Sequence, residues 1–535
     1  MALNTSGRTL LPAASRLSVE LISLIISFVY QNPNRTRVDP RFSSFATVSR
    51  QWKGLVEEII FKKIGIDVAE FATFSRYLSG TSKYRRRFLK TVNIKLENIN
   101  ALEGQLDFKQ DPMEEYSPHP SLDEYGRRMA AAVRDLWEEF HSWGDDLRIQ
   151  RFYISACPHP LTAKPSEIES SHLLARIPYI RFSDYLEPGY QFPTLLCIRD
   201  FFISSEESRV SPSSVIGLVT TMRDLDSIDV NLDDHEKKDL SWRRKIREDL
   251  ADAFEKQNAI QNKIKLAYLS IEYDANYDER REVWNLTSNA GDRLSRSLRT
   301  FSTTLTELYL TGTHFSPELF WPVGKDEHAP EWPYLKSVII KASQETADGK
   351  CLLLAPDERF PFSSFDAPLE VTDPEFLEDN IDDNPHLQVE HDMGIYPHYE
   401  FRVRPDGNFL SQYAMAIARA AQKIPKLEVL SFQVLKDFNA LQASFGFNYI
   451  GNREDSSPRA DWFFQCGHGQ LFGWEQPDEA SSFWRERCGG GLEEGVITEE
   501  WDSDSKKFYR RRLRGGRQAD TKSMMEQLPE RMDLC

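Results

Sequence analysis

The sequence predicts an α/β protein: a helical block at the N-terminus, then a long, irregular, solenoid-like body of alternating helices and strands. Three observations carry that reading. Residues 17–64 hold two apolar patterns at helical spacing. Beyond them, a helical stretch followed by a short strand written Leu-x-x-Leu-x-Leu recurs along the chain. At 535 residues the chain also exceeds the size at which one compact core keeps growing, so several domains or an elongated repeat structure are expected.

The N-terminal block comes first. Residues 1–16 read as a flexible N-terminus, and Ser18 as the N-cap of the helix that follows. Leu17, Leu21, Leu24, Ile25 and Phe28 fall at i, i+4, i+7, i+8 and i+11, one face of an α-helix. Phe45, Val48, Trp52, Leu55, Val56, Ile59 and Ile60 repeat the pattern after a polar interruption. Short amphipathic helices in about 50 residues cannot bury their apolar sides unaided, so they need the body or another protein. A secretory signal is the rival for Leu21 to Tyr30, but Glu20 sits at its edge and no small-residue cleavage site precedes Gln31. A plain helical hairpin within a larger fold is the other rival.

This block resembles the F-box, the helical element by which a substrate receptor docks onto the Skp1 adaptor of a cullin-based ubiquitin ligase. Leu17, Glu20, Leu21, Ile22 and Ile25 match the first part of the family pattern. Val48, Ser49, Arg50 and Trp52 match its Val-Ser-Arg-x-Trp element, and Ile59, Ile60 and Phe61 its last helix. Ser18 stands where the family carries proline, and residues 31–41 make a longer connection than usual. The resemblance implies an F-box-like domain over 17–66, with Leu17, Leu21, Ile22, Ile25, Val48, Trp52, Ile59 and Phe61 as Skp1-binding residues. It also implies a cullin as an indirect partner and a protein substrate of unknown identity.

The body, residues 84–440, carries strands beginning at Leu89, Leu147, Ile198, Leu225, Leu266, Leu305, Leu335 and Leu427. Alternating apolar residues suit half-buried strands, and intervening helices suit parallel neighbours. Their spacing is uneven and lacks the Asn or Cys that turns a regular repeat, so the body resembles an irregular leucine-rich repeat. The whole also resembles fungal F-box-like proteins. A doubly wound sheet is the rival, but no Gly-rich phosphate loop follows any strand.

Residues 366–400 hold eleven Asp and Glu with no Lys or Arg, an expected solvated insertion with a basic-partner site as its sharper alternative. Residues 441–505 are aromatic and Gly-punctuated, an expected β region, and 506–535 read as a basic tail.

Composition narrows the chemistry. A net charge of −17 argues against a nucleic-acid binder, and no run reaches the length of a membrane span. Six cysteines without paired spacing suit a reducing compartment, so a cytoplasmic or nuclear location is expected. Cys466, His468 and Cys488 match no zinc-binding spacing, and His386, His391, Asp392 and His398 sit in the acidic stretch. No phosphate loop, nucleophile elbow or His-Glu-x-x-His helix occurs. The expectation is a non-catalytic adaptor with no cofactor or metal. A scaffold whose F-box-like helices pack on their own body is the alternative, and an α/β enzyme a distant third.

Overall fold

The computed structural model describes residues 18–30, 42–67, 70–96, 120–144, 147–156, 179–204, 210–233, 240–259, 263–272, 284–287, 291–312, 314–322, 329–354, 404–436, 443–451, 458–465, 476–489, 497–502 and 507–512. They are mixed α/β and fall into two compact units, Met1–Glu272 and Tyr273–Cys535. The acidic stretch 366–400, together with Cys466, His468 and residues 513–535 of the basic tail, lies outside the described residues.

In the first unit, helix α1 (Val19–Tyr30) begins at Ser18, whose hydroxyl accepts the Leu21 amide at 3.3 Å. Helix α2 (Arg50–Lys62) starts the same way, with the Ser49 hydroxyl accepting the Trp52 amide. Strand β1 (Lys63–Asp67) follows α2 without a connecting residue. It pairs in parallel with β2 (Thr91–Leu96), which pairs in parallel with β3 (Ile149–Ala156). Strands β4 (Ile198–Ser204), β5 (Ser227–Asp233) and β6 (Leu266–Glu272) extend the ladder in sequence order, again parallel. The helical block thus runs straight into the sheet, where the sequence suggested a boundary at residue 66.

One face of this sheet is buried and the other is not. Val92, Ile94, Phe152, Ile154, Phe201, Ile203, Ile228, Val230, Ala267 and Leu269 point into the core. Helix α3 (Phe71–Leu78) leads toward β2, and the long helix α4 (Pro120–Ser142) lies on the buried face. Tyr125, Met129, Val133, Leu136, Trp137 and Phe140 follow helical spacing along α4 and are all buried. The rings of Trp137 and Phe140 meet Phe152 edge-on at 5.7 and 5.6 Å, favoured geometry for aromatic pairs. Helices α5 (Pro212–Thr221) and α6 (Leu240–Ala259) pack against each other. The Thr221 hydroxyl accepts the Trp137 indole N–H at 2.8 Å, satisfying a polar group deep in the layer.

In the second unit, β7 (Glu307–Thr311), β8 (Ser337–Ser343) and β11 (Val429–Lys436) are parallel neighbours. Strands β9 (Leu353–Leu354) and β10 (Arg404–Pro405) form a separate antiparallel pair. Helix α7 (Arg293–Ser302) precedes β7, and the Ala-rich helix α8 (Gly407–Gln422) precedes β11. Tyr413 of α8 stacks on Phe432 at 4.8 Å and donates its hydroxyl to the Phe315 carbonyl. Beyond β11 the pairing turns antiparallel through β12 (Ala443–Ile450) and β13 (Arg459–Gln465). Helix α9 (Asp478–Arg487) crosses to β14 (Ile497–Asp502), parallel to β13, and β15 (Lys507–Arg512) pairs antiparallel with β14. The region 441–505 therefore holds a helix as well as strands, and the first residues of the expected tail are a strand. Arg487 ties α9 down by donating to the Ala421 carbonyl at 2.7 Å and the Ile424 carbonyl at 3.2 Å, closing the end of α8.

All eight strands expected in the body are present, and where they pair with one another within each unit they are parallel. The opening leucines Leu89, Leu147, Leu225, Leu305, Leu335 and Leu427 sit just before their strands and are buried.

Candidate docking interface

The helical block has a small core of its own. Ile22 of α1, with Trp52 and Val56 of α2, is buried, and Phe45, Ala46, Leu55, Ile59 and Ile60 pack around them. Phe45 comes from a turn of 3-10 helix, Phe42–Thr47, and stacks on Trp52 at 5.8 Å. This core uses the Ile22 side of α1. The stripe at Leu21, Leu24 and Ile25 faces away from it, with 49, 64 and 39% of each residue exposed, and Val48 adds another 39% exposed. The other exposed large apolar residues among the described ones, Tyr77, Tyr84, Leu196, Tyr268 and Tyr334, lie on separate elements or connections. On α1 three occupy one helix face at i, i+3 and i+4.

The opposite side of α2 is tied to the body. Glu57 is buried and accepts Arg85 Nη2 at 2.7 Å and the Tyr84 hydroxyl at 2.6 Å. Burial alone would push the Glu57 carboxyl up, but these two donors hold it below the usual carboxylate range. The Arg85 guanidinium also lies over the Phe61 ring, 4.9 Å from its centroid. Next along the same 3-10 turn, Gly80–Phe88, Arg86 donates to the Leu78 carbonyl at 2.6 Å and covers the Trp143 ring. At the start of α1, Glu20 is held below its usual pKa by a hydrogen bond to its own backbone amide and by the Ser18 hydroxyl.

The residues expected to bind Skp1 differ in their surroundings. Leu21, Ile25 and Val48 are exposed; Ile22 and Trp52 are buried within the block, with Ile59 packed beside them. Phe61 is half-buried under Arg85, and Leu17 lies outside the described residues. Leu24 is the most exposed member of the stripe and is absent from the matched positions. Its i+3 spacing from Leu21 was the signal that pointed to it.

Other chemistry is sparse. Among the described residues no group of three His, Cys, Asp or Glu could hold a metal ion. Cys488 is buried behind α9, where desolvation first and nearby Asp461 second push its thiol up to about 11. The Cys197 thiol is pushed up to about 12 by burial, which leaves it un-ionised and inert. Among the described residues no helix is long and apolar enough to cross a membrane. In comparisons with known proteins, no family model and no curated protein matches the sequence.

Proposed function

We propose that the chain is the substrate-recognition adaptor of a Skp1-cullin-F-box type ubiquitin ligase, docking Skp1 through α1 and holding a protein substrate on its α/β body. The observation that carries this reading is the exposed stripe Leu21, Leu24, Ile25 beside Val48, on a helix whose other side is already anchored by Ile22 against Trp52. A helix that shows its apolar face while folded is built for a partner rather than for its own core. The chemistry required is proximity: a substrate lysine held near a charged ubiquitin carrier reacts as if intramolecularly, with no reacting group from the adaptor.

A scaffold is the second reading, favoured by the Glu57–Arg85 tie that fixes α2 to the body. The two readings differ at α1. Full-length chain carrying Leu21→Asp with Ile25→Asp should lose Skp1 in co-purification while its circular dichroism stays that of wild type. Undiminished Skp1 capture by a folded variant would remove α1 as the docking element, and absence of capture by wild type would leave the scaffold.

A further inference from the structure

On the uncovered face of the first unit's sheet, register brings together side chains that are far apart in sequence. Phe202 on β4 is level with Asp229 on β5, and Asp229 is level with Tyr268 on β6. On the far side of Phe202, Tyr153 on β3 completes the row, its ring 5.4 Å from that of Phe202. Parallel neighbours stand about 4.8 Å apart, so Phe202 and Tyr268 bracket Asp229 across roughly 10 Å. Asp229 and Tyr268 are exposed and Phe202 half-buried, and among the described residues no hydrogen bond or ion pair reaches the Asp229 carboxylate. One row below, Asp200 differs, since the Ser227 hydroxyl donates to it at 2.7 Å.

We infer that Asp229, flanked by Phe202 and Tyr268, is a seat for the cationic side chain of a lysine- or arginine-bearing segment of a protein partner. A carboxylate without a cation, between two ring positions, offers such a side chain a charge-assisted hydrogen bond and ring faces within cation–π reach. The aromatic neighbours also take the aliphatic stem of the side chain. Loss of hydration pushes the Asp229 carboxyl up to about 6 although its outer side is open, so an arriving cation relieves an existing cost. As the substrate class of the adaptor, the seat rests on the function proposed above; as a binding site it is tested independently.

The probe is a fluorescein-labelled octapeptide alternating lysine and serine, with a version acetylated on every lysine, titrated into the full chain at 0.15 M salt. Because the chain carries a net charge of −17, the control must remove equal charge elsewhere, and Glu70→Gln at an exposed helix start does so. Asp229→Asn should weaken binding about tenfold, the scale of one charge-assisted hydrogen bond, with Glu70→Gln unchanged. Acetylated peptide should not bind. Phe202→Leu and Tyr268→Leu keep the charge and should each weaken binding about threefold, which decides the matter should Asp229→Asn misfold. Equal losses for Asp229→Asn and Glu70→Gln, or none for Asp229→Asn, would overturn the seat. Skp1 capture by Asp229→Asn should match wild type. Peptide binding that persists in a chain unable to capture Skp1 would leave the seat standing and remove the adaptor.

Discussion

Arg85 and Glu57 meet at 2.7 Å across the junction between α2 and the turn preceding β2, and both are largely withdrawn from water. This pair decides how the N-terminal block is attached. Breaking a buried pair by removing one member leaves an uncompensated charge, which costs on the order of 3 to 5 kcal/mol. Glu57→Ala should fall at the lower end of that range, since Arg85 keeps its place over Phe61. Urea denaturation followed by tryptophan fluorescence measures it. A loss within experimental error would show that the block is held by its apolar contacts alone. Because the Glu57 carboxyl is held below its ordinary value, its contribution is present above about pH 4.5 and is lost as pH falls through the folded pKa.

Trp52 supports α1 from behind. Its ring is buried against Phe45 and closes the core that Ile22 completes. Trp52→Ala should cost about 3 to 5 kcal/mol and release α1 with it, whereas Leu24→Asp on the exposed stripe should leave stability within about 0.5 kcal/mol. Comparing thermal melts of the two variants checks this. Equal destabilisation by both would place Leu24 in a core.

Gly446 on β12 pairs with Gln433 of β11, and a Cβ there would collide with the Phe432 carbonyl oxygen. Backbone cannot give way as a flexible side chain can. Gly446→Ala should therefore cost at least about 2 kcal/mol and loosen the β11–β12 pairing. Amide exchange of the two strands reports it, and unchanged protection would mean that the ladder shifts to accommodate the methyl.

Asp229 gives a pH signature in the opposite sense to Glu57. Its folded pKa of about 6 lies above the ordinary 3.8, so the folded chain holds this proton more tightly than the unfolded one. Stability from this group is greatest below about pH 4, falls as pH rises toward 6, and stays lost above. Asp229→Asn should melt a few degrees above wild type at pH 7.5, the gain being limited by solvent on the open side, and show no gain near pH 4. A variant less stable than wild type at pH 7.5 would reveal a partner for the carboxylate.

Six of the body's eight expected strands were legible because each is announced by a leucine that is buried before the strand begins, followed by alternating apolar residues. Leu225 ahead of Ile228 and Val230 is representative. Strand β1 was hidden: Lys63-Ile-Gly-Ile-Asp continues the apolar pattern of α2, and only its pairing with β2 makes it a strand. Strand β15 is rich in charge, as in Arg510 to Arg512, so composition argued for a tail. The exposed stripe of α1 was half legible. Periodicity marks the stripe, but which side of α1 turns inward depends on Ile22 finding Trp52 some 30 residues away. The Asp229 row was illegible, since an Asp between Ile228 and Val230 is ordinary alternation until register sets it between two aromatic positions.

The passage from Lys62, the last residue of α2, to Lys63, the first of β1, has no hinge in it. A tethered receptor lets its cargo swing, and the local concentration of cargo at a reaction centre is then diluted over the swept volume. A strut does the reverse. Whatever grips α1 acquires a bearing on the adjoining sheet set by α2 and the Glu57–Arg85 latch, so reach is fixed and aim is inherited from the fold. Inserting a few glycines between Lys62 and Lys63 would turn the strut into a leash, leaving the α1 stripe and the sheet intact while blurring the direction in which the proposed adaptor would present its cargo.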